Sequence, residues 1–272
     1  MCILFIYVDP NPDEGGYRLI IASNRDEYYR RPAKNAFLCE KTGIIGGRDM
    51  EPGREGGMWL GINSKKGGKF KFSALLNITG EKLENACGRG VLVKEFLEKD
   101  FSSNEYVDML QHETKAFNGY NLVALELSKD EANIHSITNT PKIKTEYIGK
   151  HILGFGNSPV NVPLSKVNKG KSIFKSIIEN SKTKEDLVKG LVELLKNEEN
   201  FLPDEELQTR APEAYKQLSS IFVKIGDQYG SRAHSIILVD YNWEIDFIEQ
   251  ALEQPIDPNN FTWLQSNIKS NL

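Results

Sequence analysis

The chain opens MCILFIYVDP, with a cysteine second and the apolar run Ile3–Val8 directly behind it. Initiator methionine is usually removed when the next residue is small, which would leave the amine and the thiol of Cys2 side by side. With reference pKa values of about 7.7–8.0 for an α-amine and about 8.5 for a thiol, such an amine can serve as general base to its own sulfur. That economy matters because His112, His135, His151 and His234 are scattered and make no obvious Cys-His pair. The alternative is that Cys2 is a small hydrophobe at the start of a buried strand.

A second concentration of chemistry is Asn24-Arg25-Asp26-Glu27, which follows the apolar run YRLIIAS at 17–23. In extended conformation Asn24 and Asp26 share one face, and Arg25 and Glu27 the other. The four residues suit either a ligand-binding cluster or a strand exit in which arginine and carboxylate pair with each other. Asn77 closes a strand that has become wholly apolar, and Asn157 lies in GFGNSP. An amide at a sheet rim can stabilise an oxyanion, worth about 2.7–4 kcal/mol, although asparagine is also a routine turn residue. Arg232, just before AHSIILVD, is open in the same way. Trp59 sits in the glycine-rich GREGGMWLGI and suits either the core or a ligand platform. The glycines at 46–47 and 53–61 imply tight turns and close backbone approach; with no GKS or GKT following, they do not form a phosphate loop.

The elements that must position these residues can be read from apolar periodicity. Ile3–Val8 and 17–23 predict a buried hairpin, and 57–63 with 70–78 a second one around a turn at 64–68, with its lysine-bearing end wet. Helices are expected at 91–99 and 102–117, with Ser102 as cap, and at 164–180 and 183–198, where Thr183-x-x-Asp186 resembles a capping box. Strands are expected at 121–128, 132–138, 151–157, 219–225, 233–240 and 243–252. Neighbouring strands on short turns imply antiparallel sheets, and paired helices between strand groups imply separate layers. The expected class is therefore α+β, as an αββα four-layer sandwich in one domain over 1–272.

Composition narrows the partners. A net charge of -4 argues against nucleic acid, which needs clustered surplus Lys and Arg. Lys166, Lys169, Lys171 and Lys175 fall in an expected helix and suit a solvated face, or a phosphate-bearing ligand such as a coenzyme A tail. Ile3–Val8 is too short, and lacks the preceding basic residues, for a signal peptide, so a cytoplasmic chain without a transmembrane segment is expected. Three cysteines without a C-x-x-C motif suit a reducing compartment, and the histidines have no zinc-ligand spacing.

Taken together, MCILFIYVDP, YRLIIASNRDEYYRRP, EGGMWLGI, FNGYNLVA, NEENFLPD and YGSRAHSIILVD resemble the transport and Golgi organization protein 2 family, also called NRDE after residues 24–27. That resemblance implies an N-terminal nucleophile hydrolase-like fold, similar to the cysteine amidases that include penicillin V acylases and bile salt hydrolases. On those enzymes' pattern Cys2 is the nucleophile, with Asp26, Asn77, Asn157 and Arg232 completing a catalytic set. Asn24, Arg25, Glu27 and Trp59 would face the ligand. One position departs: Ser23 stands where the amidases carry an arginine. The departure favours a binding or transfer protein on an inherited hydrolase fold over a cysteine amidase or thioesterase. For such a protein the family implies handling of haem or acyl-CoA lipids, Golgi organization and secretion, and mitochondrial or Golgi association. No cofactor is required; haem would be cargo, although no Cys-Pro motif or distinctive axial histidine marks a haem site.

Overall fold

A computed structural model describes residues 2–64, 69–80 and 83–272. In chain order its strands are β1 (Ile3–Val8), β2 (Tyr17–Tyr28), β3 (Ala33–Cys39), β4 (Ile44–Asp49), β5 (Leu60–Asn63), β6 (Phe70–Asn77), β7 (Tyr120–Leu127), β8 (Ala132–Asn139), β9 (Lys142–Ile148), β10 (His151–Phe155), β11 (Lys224–Ile225), β12 (Tyr229–Asp240), β13 (Glu244–Leu252) and β14 (Trp263–Asn271). Strands β3 to β9 form one antiparallel sheet in sequence order. The other sheet runs β10-β1-β2-β12-β13-β14, with β11 on β12. The helices are α1 (Gly90–Glu98), α2 (Ser103–Gln111), α3 (Ser165–Asn180), α4 (Lys184–Leu195), α5 (Glu205–Arg210) and α6 (Tyr215–Leu218).

Strand alternation explains why Ile3–Val8 is apolar without interruption. Leu4, Ile6 and Val8 pack with Leu19 and Ile21 against Ile62, Phe72 and Val123 of the facing sheet. Ile3 and Phe5 point the other way, with Ile20 and Ala22, onto Val167, Phe174 and Leu191 of α3 and α4. A strand buried on both faces has no polar position to alternate. On the far side Leu92, Phe96 and Tyr106 of α1 and α2 cover Leu75, Leu122 and Ile137. The layers are thus helices, sheet, sheet, helices. Gly170 lets α3 settle onto β1, because a Cβ there would collide with the Phe5 ring.

Both sequence-expected caps form. The Thr183 side chain accepts from Asp186 N, and Ser102 with Glu105 makes a reciprocal capping box. Several boundaries move. The helix expected to reach 117 stops at Gln111, and the expected strand at 151–157 stops at Phe155. Strands β3, β9 and β14 lie where none was expected, and the glycines at 46–47 lie in β4. The stretch 219–225 is mostly irregular, with only Lys224–Ile225 paired. Its apolar residues mark burial, which strand and buried loop share. Lys71 is buried, its ammonium held by the carbonyls of Lys99 and Phe101, so that end of the second hairpin is not simply wet. Residues 65–68 of its expected turn fall outside the described residues.

Candidate functional site

Cys2 precedes β1 and packs, half-buried, against the core between the sheets. Ile3 pairs with Asn24 on β2, and Leu4 with Phe155 on β10. Continuing both registers brings Arg25 level with Cys2 on one side and Asn157 on the other. Directly opposed residues share a face of the sheet, so these three form a row toward the facing sheet. The Cys2 thiol lies 4.0 Å from the Asp26 carbonyl, a weak contact. Burial raises its pKa, the Asp26 and Glu27 charges add to that, and the thiol is thereby held protonated.

Arg25 is 7% exposed, and its guanidinium lies 3.9 Å from the centre of the Trp59 ring. Among the described residues it has no hydrogen-bond acceptor and no ion pair. Burial pulls its pKa down, and Glu27, Asp49 and Cys2 pull it back. Trp59 is half-buried and keeps its place because β4 has a glycine beneath it: a Cβ at Gly47 would collide with the indole. Arg25 is therefore not paired with its neighbour Glu27. Glu27 lies 3.5 Å from Arg31, which in turn makes a two-point contact with Asp49 at 3.1 and 2.6 Å.

More arginines surround this row. Arg89, at the N-terminus of α1, donates to the Gly119 carbonyl at 2.7 Å; its pKa falls to about 10 through burial, opposed by Cys2 and Glu27. Arg232 occupies a β-bulge, the extra residue where Ser231 pairs with Asp26 and Ala233 with Arg25. Its guanidinium is taken up by the carbonyls of Tyr28, Tyr29 and Arg31, which ties down the chain leaving β2. Burial, then the nearby Arg25 charge, lowers its pKa to about 10.

Asn157 is 1% exposed and its amide donates to the Asn77 carbonyl at 2.6 Å, joining the two sheets at the level of Cys2. Its own side-chain oxygen has no hydrogen-bond partner. Asn121 grips the carbonyls on either side, at Gly156 and Ser158, so the loop is rigidly placed. By alternation Asn77 belongs with Leu75 on the face that α1 and α2 cover, whereas Leu76 faces the inter-sheet core. The two asparagines meet through a backbone carbonyl and do not present two amides side by side.

Asn24 and Asp26 face the helices. Both Asn24 amide hydrogens are spoken for, by the carbonyls of Leu195 at 2.8 Å and Ile221 at 3.0 Å. Its oxygen must then accept from His234 Nδ1–H, at 2.6 Å, which fixes that histidine's tautomer. His234 stacks on Trp263 at 4.5 Å between centroids, and burial lowers its pKa to about 3. Asp26 accepts from the Ser231 hydroxyl at 2.6 Å. Burial raises its pKa, and Lys166 lowers it.

The family model for transport and Golgi organisation 2 matches residues 1–254. A Drosophila melanogaster protein, transport and Golgi organization protein 2, is 38% identical over 99% of this chain and 98% of its own length. The human and bovine homologues of that protein are 35% and 34% identical, each over 93% of both chains. The chain belongs to the transport and Golgi organisation 2 family.

In this family member, sequence reasoning overlooked two site residues. Arg89 sits in ACGRGVLV, where the flanking glycines read as a helix start and no feature tells a reader that its side chain runs toward Cys2. Lys166 shares with Lys169, Lys171 and Lys175 the expectation of a solvated helix face or a phosphate-bearing ligand; it is instead fully buried, with its ammonium on the Ser220 carbonyl at 3.0 Å. The signal was available in the helical spacing of Lys166 to Gly170 and Phe174, all buried, while Lys169 and Lys175 are exposed. Among the described residues no cluster of three or more His, Cys, Asp or Glu could hold a metal, and no helix is long and apolar enough to cross a membrane.

Proposed function

We propose that this chain binds acyl lipid carried as a thioester of coenzyme A and passes it on. It would do so as a cytoplasmic contributor to the transport and Golgi organisation for which its relatives are named, on a fold of the N-terminal nucleophile hydrolase type. The observation that carries this reading is Arg25. Its guanidinium is nearly buried yet has no acceptor among the described residues, and a ligand oxygen would supply one. Arg31 and Arg232 lie in its field and Arg89 acts at Cys2 beside it, with Glu27, Asp49 and the buried Glu249 as counter-charges. These arginines suit a multiply anionic headgroup, while the Trp59 ring and the apolar residues packed with Cys2 suit the start of an acyl chain.

Quenching of tryptophan fluorescence by palmitoyl-CoA, with free coenzyme A as control, tests it. Binding at micromolar ligand is expected, weakened at least tenfold in Arg25→Gln. Wild-type protein that shows no saturable binding would end the proposal. Haem as cargo would have to take Cys2 as its axial ligand, since His112, His135, His151 and His234 lie elsewhere; a Soret shift lost in Cys2→Ser would establish that variant.

The row Cys2, Arg25 and Asn157 also supports a second reading, thioester or amide hydrolysis. The Cys2 sulfur would add to the acyl carbon, expelling the coenzyme A thiol or an amine, and water would then release the fatty acid and regenerate the thiol. Arg25 would stand in for the arginine that Ser23 replaces. Intact-mass measurement reads both the removal of Met1 and the acyl adduct; turnover undiminished in Cys2→Ser would exclude this chemistry.

A further inference from the structure

We propose that β14 is an interface between two copies of this chain: its free edge pairs antiparallel with the same edge of a second molecule, about a two-fold axis at Ser266, and joins two sheets into one. The inference is independent of the site at Cys2 and of what binds there.

The two sheets present four edge strands, β10 and β14 in one and β3 and β9 in the other. An edge displays unpaired N–H and C=O groups, and monomeric proteins blunt such edges with short strands, charges or bulges. β10 is blunted by its length of five residues. β9 carries Lys142, Lys144 and Glu146. β3 carries Lys34 and a register shift before Phe37, and part of its backbone is already taken. The Gln254 side chain accepts from Ala33 N at 3.1 Å and donates to Ala33 O at 2.7 Å, while Glu249 Oε1 accepts from Ala36 N at 2.6 Å. β14 has none of these devices. It runs nine residues in unbroken register with β13, without proline, and Lys269 is its one charge. Among the described residues no strand lies on its outer side, and Leu264 on it is 45% exposed.

What this edge fits follows from its sequence, WLQSNIKSN. A two-fold interface sets residue i of one copy against residue j of the other, and j against i. With Ser266 on the axis, Leu264 stands directly opposite the partner's Ile268, Gln265 opposite the partner's Asn267, and Trp263 opposite the partner's Lys269. Ile268 packs at the margin of the inter-sheet core, whereas Trp263 stacks on His234 on the helix side. The apolar pairs therefore extend one face of the sheet and the cation–indole pairs the other. Directly opposed pairs of these kinds are what stabilise antiparallel strands. Lys269 meets no like charge, since its neighbour on β13 is Asp246 and across the axis it meets the indole. Moving the axis to Asn267 sets Leu264 against Ser270 and Ile268 against Ser266, and moving it to Gln265 sets Leu264 against Ser266. Either shift loses both apolar pairs. This self-complementarity in one register assigns the edge to a second copy rather than to an unrelated extended peptide.

Sedimentation velocity of the full chain, from low to high micromolar concentration, tests the assignment. Strand edges of this length bury less than the roughly 1,200 Å² of stable complexes, so a weak dimer that grows with concentration is expected. Ser266 is exposed, and Ser266→Lys sets two ammonium groups against each other on the axis. The dimer dissociation constant should then rise roughly fivefold or more, with circular dichroism unchanged. Gln265→Glu with Asn267→Lys sets opposite charges across both amide pairs and should tighten the dimer, whereas Gln265→Lys with Asn267→Lys should loosen it. A chain that stays monomeric throughout leaves the edge to a strand of some other protein and overturns the proposal. So does a dimer that Ser266→Lys leaves intact, or one that responds alike to the two charge pairs.

Discussion

Along β2, Asn24 and Asp26 look toward the helices while Ser23, Arg25 and Glu27 look toward the second sheet, and the two faces are finished differently. On the helix face Asn24 satisfies two carbonyls and a histidine, and Asp26 is met by Ser231 and lies in the field of Lys166. On the other face the Ser23 hydroxyl closes onto the Ile3 carbonyl at 2.8 Å, yet Arg25 beside it is left with an aromatic ring alone. A motif of four consecutive polar residues thus divides by parity. The face that bonds to the helix layer holds the fold together, although His234 Nε2 on it has no hydrogen-bond partner, and on the other face Arg25 is where a ligand oxygen has something to gain.

The comparison can be broken most severely at Asn24. Asn24→Ala leaves Leu195 O, Ile221 O and the His234 N–H without partners, each costing about 1–3 kcal/mol, so a loss of roughly 3–5 kcal/mol is expected from urea unfolding. A loss below about 1 kcal/mol would mean that this face is not the structural one. Acid attacks the same face. The folded pKa of His234 is about 3, below its unfolded value of about 6.5, so the unfolded chain binds the extra proton between those limits. Its contribution is intact above pH 6.5 and is lost as pH falls, at about 1.4 kcal/mol per unit, or about 3 kcal/mol by pH 4. His234→Gln should remove that part of the slope when unfolding midpoints are compared at pH 7 and pH 4.

On the other face the expected order of effects reverses. Arg25→Leu should change stability by less than about 1 kcal/mol, or raise it, because a buried charge without a partner is removed. Ligand affinity should nevertheless fall at least tenfold, and a variant that unfolds readily while binding normally would contradict the division by parity. Smallest of all is Glu27→Gln. It weakens a partly exposed pair with Arg31, worth about 0–1 kcal/mol, and thermal melts should barely move.

The apolar runs of β1, β2, β6 and β12, the class of fold and the two helix caps were legible in the sequence, because burial and capping leave local patterns. So was the alternation that puts Arg25 and Asp26 on opposite faces. Strands such as β14 were not, since an edge strand that is largely exposed carries no apolar period. Nor was 219–225, where buried loop and buried strand use the same residues. In the site, Lys166 and Arg89 escaped notice because a long basic side chain can be solvated or buried from the same position in sequence.

By itself the sequence determined which residues of the site could share a face, since the two-residue period of a strand is a property of the backbone. It also determined membership of its family, which is spread over most of the chain. Only the tertiary structure decided that Arg25 stands level with Cys2 without an acceptor, that Asn157 spends an amide hydrogen on Asn77, and that Lys166 is buried within electrostatic reach of Asp26. Those relations join residues far apart in the chain, and their energies depend on burial and register, which exist only once the sheets and helices have packed.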